Sequence, residues 1–161
     1  MKKTISLVMG VCMAFMLGVS AFGEKAVSSE ELGKSQNPLH YELPESWISL
    51  EIGADAATLG MVANVTNPDG TVMLQVFTQK DATLASITDT ISLLENAENM
   101  LDKQAEAMPY IAYTIDNMRC FVIQVGEAQQ LMLNFSVMDP AQMAQVDETA
   151  QAIIASITVT P

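Results

Sequence analysis

Midway along this chain the spacing of the apolar residues changes, and that change limits the fold more than any other feature. Before Leu84 they come in short runs or alternate with polar ones. Trp47–Ile52 sets Ile48, Leu50 and Ile52 against Trp47, Ser49 and Glu51, the period-two pattern of a half-buried strand. Leu39–Leu43 reads as a strand closed by Pro44-Glu45-Ser46. Leu59–Val65 and Val72–Phe77 flank Asn67-Pro68-Asp69-Gly70. Those four residues make a hairpin turn: Pro fixes φ, Asp tolerates the bend and Gly supplies positive φ.

From Leu84 the pattern becomes helical. Leu84, Ile87, Ile91, Leu94, Leu101, Ala105 and Met108 follow spacings of three, four and seven. They predict one amphipathic helix of roughly six turns. Asp81 or Thr83 caps its start and Pro109 ends it.

The period then returns to two. Tyr110–Ile115 turns at Asp116-Asn117, a pair that tolerates left-handed backbone. Met118–Val125 turns at Gly126-Glu127. Leu131–Met138 is apolar on both faces apart from Asn134 and Ser136, as a central strand would be. Asp139-Pro140-Ala141-Gln142 opens a second helix, with an acceptor at the cap and Pro at the first position. Met143, Val146, Ala150, Ile153 and Ile157 mark its buried side. Residues 156–160 end the chain as a frayed terminus or short strand. Tight turns imply a mostly antiparallel sheet, and two helices with apolar faces must pack on it. The fold class predicted is α+β, a mostly antiparallel β-sheet flanked by helices.

Residues 1–23 read as an address rather than as part of that fold. Lys2 and Lys3 precede the apolar run Ile5–Leu17, and small residues follow, so a signal peptide ends at Ala21 or Gly23. The Lys-Lys-Thr start has a bacterial character. A retained membrane anchor is the other reading, since the run to Phe22 is at the lower limit for a spanning helix. Cys12 lies inside the apolar run behind Val11, which argues against a lipidated cysteine. Residues 24–38 form a flexible polar leader, and 39–161 form a single domain.

Removing residues 1–23 sharpens the composition. The 161 residues carry 7 Lys and Arg against 19 Asp and Glu, a net charge of -12. Without the signal, five basic residues (Lys25, Lys34, Lys80, Lys103 and Arg119) face nineteen acidic ones, a net charge of -14. Such a chain repels phosphate, so nucleic acid is excluded as a partner. Cys120 is left as the one cysteine, and a disulfide within the exported chain is impossible. It lies in the apolar run Met118–Ile123 and reads as a buried, inert thiol.

His40-Tyr41-Glu42-Leu43-Pro44-Glu45-Ser46-Trp47 resembles the aromatic-x-Leu-Pro-x-x-Trp opening of the PsbP-like superfamily. Ile153-Ile154-Ala155-Ser156-Ile157 resembles the family's closing helix. The order of elements between them is similar too, so the resemblance spans residues 39–161. One departure is Ser46, where many relatives place Gly. The resemblance implies an α/β/α sandwich and a binding or assembly accessory rather than an enzyme. It carries over no catalytic residue, because the matched positions are structural.

The side chains themselves offer little chemistry. His40 is the single His, and Glu42 shares its strand face, but nothing in the sequence sets a Ser beside the pair. Glu95, Glu98, Asp102 and Glu106 are spaced by three, four and four. On one long helix they would form an acidic stripe, either a solvated face or a possible interaction surface. The Asn64-Val65-Thr66 and Asn134-Phe135-Ser136 sequons fall in predicted strands, and no calcium loop, phosphate loop or zinc motif is present. Met61, Met73, Met100, Met108, Met118, Met132, Met138 and Met143 read mostly as core.

The expectation is therefore an exported, non-enzymatic accessory domain acting by protein contact, with a basic partner favoured by charge and no cofactor or metal. The alternative is a carrier of a small apolar ligand or lipid, held in a cleft between helix and sheet. A membrane enters only if the N-terminal segment is retained.

Overall fold

The structure, a computed structural model, describes residues 39–80, 83–103, 106–127 and 129–159. The signal and leader read from residues 1–38 lie outside the described residues, as does Asp81. The described elements run in the order β1 (Leu39–His40), β2 (Ile48–Ser49), α1 (Ala54–Thr58), β3 (Met61–Thr66), β4 (Val72–Lys80), α2 (Leu84–Ile91), β5 (Ala97–Asp102), β6 (Tyr110–Ile115), β7 (Met118–Gly126), β8 (Gln129–Val137), a 3-10 turn (Pro140–Gln142), α3 (Met143–Ser156) and β9 (Thr158–Val159). Seven strands form one sheet in the order β2-β3-β4-β8-β7-β6-β5, and β1 pairs with β9 apart from it. Every pairing is antiparallel. The class is α+β.

Alternation along the strands sorts the core into two layers. Leu74, Val76, Phe121, Ile123, Leu131, Leu133 and Phe135 face α3, whose Val146, Ala150 and Ile153 close over them. Phe77, Ile111, Tyr113, Cys120, Val122 and Met132 face the other way, against Leu84 and Ile91 of α2 and Ala56 of α1. The sheet is thus covered by helix on both faces. β8 is the middle strand of the seven, and Leu131, Leu133 and Phe135 are fully buried there.

The turns form as their residues dictate. The Asn67 side-chain oxygen accepts from the backbone N–H groups of Thr71 (2.9 Å) and Val72 (3.0 Å), and Gly70 takes φ 68°. Asp116 takes φ 53° in the β6–β7 hairpin. Asp139 accepts from the Ala141 N–H at 3.0 Å and starts the 3-10 turn that leads into α3. The Pro44 carbonyl accepts from Trp47 N–H at 3.0 Å. That turn lays the indole edge-on to Phe135, with ring centroids 6.4 Å apart. The Leu-Pro-x-x-Trp segment is therefore a device for docking one large ring on the central strand.

Two features depart from the sequence reading. A short helix, α1, occupies Ala54–Thr58 ahead of β3, where no helix was expected. The larger correction concerns the long helix. It begins as expected at Thr83, whose hydroxyl accepts from Ser86 N–H while Ser86 returns the bond. It stops at Ile91, and Ala97–Asp102 becomes a strand.

The reason lies in the residues between the apolar positions. Thr88, Thr90 and Ser92 turn their hydroxyls onto the carbonyls four residues back, a bond that weakens a helix interior. Glu95, Glu98, Asp102 and Glu106 would repel one another at helical spacing. Asn99 adopts φ 52°, a left-handed conformation that no helix interior holds. Pairing with β6 replaces what the helix would have lost.

Gly60 gives a sharp test of this packing. Its φ is 93°, and a Cβ there would meet the Thr78 carbonyl oxygen at 2.5 Å. Gly60→Ala is expected to destabilise the domain by about 3 kcal/mol, and Phe135→Ala by about 4 kcal/mol. Denaturant unfolding measures both, and a Gly60→Ala loss under about 1 kcal/mol contradicts the close approach.

Candidate functional site

The two edges of the main sheet are unlike. At one, β2 is two residues long, and the chain beyond it stays close to β3: Leu50 N–H donates to Asn64 O, and the Asn64 amide donates to Glu51 O. At the other, β5 offers six residues whose outer side pairs with no strand among the described residues. A sheet edge that pairs with no further strand is a place where another chain can add. Met100 and Leu101 of β5 are 42% and 39% exposed.

A single cation fixes the shape of this edge. Arg119, the one arginine of the chain, projects from β7 on the α3 side of the sheet. Its Nε donates to Asp147 Oδ1 of α3 at 2.9 Å. Its Nη1 donates to the Asn99 carbonyl of β5 at 3.1 Å and to the Thr114 hydroxyl of β6 at 3.3 Å. The guanidinium also lies over Phe121, 5.2 Å from the ring centroid. The bulge between Glu98 and Leu101 is thus pinned by its own carbonyl.

Residues 106–108, ahead of β6, and the end of α3 border an open cleft of about 430 Å³. Ile154, Ala155 and Ile157 form one wall, and Ala107 and Met108 form the other. Tyr110 lies between them, its hydroxyl accepting from the Gln151 amide at 3.0 Å. Lys103 and Glu106 stand on the remaining side, paired at 3.7 Å. Six of the nine lining residues are apolar or aromatic, a lining suited to an apolar group with one polar end.

The four acidic residues of the expected stripe do not share a helix. Glu95 lies in the turn after α2, Glu98 and Asp102 lie on β5, and Glu106 lies in the connection to β6. They lie before, on and after β5 instead.

The other candidates settle into structural places. His40 pairs with Thr158 across β1 and β9. The nearby Ser156 hydroxyl donates to Ile153 O and accepts from Glu42 N–H. Cys120 is buried in the layer facing α2, opposite in sheet face to Arg119. Asn134 is buried beside Gln75 and Cys120. Among the methionines, Met61 and Met132 are buried, while Met100 and Met138 are exposed. Among the described residues no three His, Cys, Asp or Glu stand close enough to hold a metal ion. No helix of the described residues is long and apolar enough to cross a membrane.

Sequence reasoning passed over Arg119, Asp147, Asn99 and Lys103. The signal that existed was composition: one Arg, set in an apolar strand, must find acceptors from several elements.

No protein-family model and no curated protein matches the sequence. Two solved structures share features of the chain path. LpqN of Mycobacterium tuberculosis, described as involved in cell envelope biogenesis, aligns with 80% of this chain and 86% of its own at 12% identity and a TM-score of 0.49. The cyanobacterial PsbP (CyanoP) of Synechocystis sp. PCC 6803 aligns over 89% and 98% at 15% identity and a TM-score of 0.47.

The Arg119 cluster makes an unequal prediction. The Arg119 side chain is 8% exposed and that of Asp147 is 46% exposed. Asp147→Ala strands a buried charge and is expected to cost about 2 kcal/mol. Arg119→Met removes the charge together with its need for partners, leaves Asp147 to water, and should cost under about 1 kcal/mol. Paired unfolding curves decide, and the reverse ranking contradicts this account.

Proposed function

We propose that this protein is an exported, non-enzymatic accessory domain that works by binding another protein, through the β5 edge and the surface around it. The observation that carries the reading is the open six-residue edge with exposed Met100 and Leu101. Glu98 and Asp102 lie on β5 and Glu95 just before it, a local negative charge that favours a basic partner and speeds its approach. Export is supported by the basic start, apolar run and small residues of positions 1–23.

A photoreactive side chain at Met100, introduced in the producing cell, tests the contact. It is expected to capture one defined protein that the same group at the exposed turn residue Asp69 does not. Equal capture at both positions counts against the reading. The mass of the purified chain reports whether residues 1–23 have been removed.

The cleft supports a second reading, a carrier of a small apolar ligand, because its volume of about 430 Å³ lies within the range of ligand sites. Ala155→Trp fills the cleft from an exposed position. On this reading an apolar molecule extracts from the native protein and is lost from Ala155→Trp, as mass spectrometry of the extracts would record. Identical extracts dispose of the carrier.

A further inference from the structure

We infer that Met73, Met118 and Met138 form a binding site for a soft monovalent cation of the Cu(I) class, held by three thioether sulfurs at the end of the sheet that carries the β3–β4 and β6–β7 turns. The site owes nothing to the β5 contact proposed above.

Register brings the three residues together. Met73 of β4 and Met118 of β7 are both partners of Ser136 on β8, so they flank that residue on either side. Directly opposed residues share a sheet face. Met138 lies two residues beyond Ser136, and the β4–β8 ladder continues to it, because its N–H donates to Thr71 O at 3.0 Å. Alternation therefore sets it on the same face. Three adjacent strands each place one methionine around a single small side chain. Met73 and Met118 stand two strand spacings apart, roughly 10 Å, and Met138 is diagonal to both. The three rotatable bonds of a methionine let all three sulfurs turn inward to one point above Ser136.

Burial shows that this place is not filled by core. Met138 is 75% exposed, and Met73, Met118 and Ser136 are only partly buried. One row further along the same face, Gln75, Asn134 and Cys120 are closed in. The Gln75 amide nitrogen stands 4.0 Å from Met73 Sδ and keeps that thioether on this face. Met118 packs against the layer under α2, so the trio sits at the rim of that layer. Packing accounts for part of Met118 but not for Met138, which buries little.

The ligand type names the ion. Thioether sulfur is soft and uncharged, and soft sulfur ligands select Cu(I). Zinc draws on thiolate, imidazole and carboxylate, and calcium and magnesium draw on oxygen. The chain's net charge of -12 favours the approach of any cation, so selectivity falls to the sulfurs.

The test titrates the full chain, labelled at its methionine methyl groups, with silver(I) in chloride-free buffer. Silver(I) is an air-stable ion of the same class. The methyl resonances of Met73, Met118 and Met138 are expected to shift together, while those of Met61, Met100 and Met132 stay in place. A thioether binds metal without losing a proton, so the affinity should be level between about pH 5 and pH 8. Met138→Leu keeps an apolar side chain of similar volume at an exposed position and leaves the fold intact. It should weaken silver binding at least about tenfold, since loss of a mere outer partner of a metal ligand costs that much. Cys12→Ala/Cys120→Ala should leave the affinity as it was.

The site is overturned if the three resonances do not move together, or if Met138→Leu binds as the native chain does. An affinity that climbs with pH and vanishes with the cysteines assigns the ion to a thiolate and overturns it too. An equal response of the three methyl groups to zinc removes the assignment to a soft cation.

Discussion

A guanidinium inside a protein must have its donors met, and Arg119 meets them by drawing four parts of the domain together. Its own strand β7 supplies the aromatic face of Phe121, β6 the Thr114 hydroxyl, β5 the Asn99 carbonyl and α3 the Asp147 carboxylate. A neutral side chain at this position could pack, but it would not choose among helix placements. Asp147 ties α3 to the sheet at this point, and the Asn99 bond holds the outermost strand in its bulged path.

Most of the fold was legible because local pattern and global packing agree over most of the chain. The turn at Asn67–Gly70 and the hairpin at Asp116-Asn117 appear as read, while Asp139, read as the cap of the second helix, caps a 3-10 turn that leads into it. The central place of β8 followed from its two apolar faces. The long helix failed because Leu94 and Leu101 are seven apart, a separation that fits two helical turns and equally fits a turn followed by a strand. Between them Glu95, Ala97, Glu98 and Met100 favour helix locally, while Asn96 and Asn99 are weak formers and the acids repel at that spacing. The choice was made by β6, a partner remote from any local window.

The site was less legible for the same reason. Acidic residues at helical spacing suggested one face, and they instead border a sheet edge, two of them on the strand itself. Their number and sign were readable, whereas their arrangement depended on the strand that sequence reasoning did not find. A cleft between helix and sheet was an expectation, but its walls could not be read, since they come from the end of α3 and from residues 103 and 106–108, which lie far apart in the chain.

The wiring of the sheet also bears on when this protein can fold. The strands β2, β3 and β4 form one half and β5, β6 and β7 the other, and the two are joined only through β8. Register along β8 pairs Val72 with Val137 and Lys80 with Gln129, contacts between stretches widely separated in the chain. Closing such loops is slow, and neither half alone buries its apolar faces. A chain emerging from its N-terminus therefore remains without its core until residues 129–137 are free. Under the export proposed above, this delay is an advantage, because the last strand needed to lock the sheet is also among the last to enter.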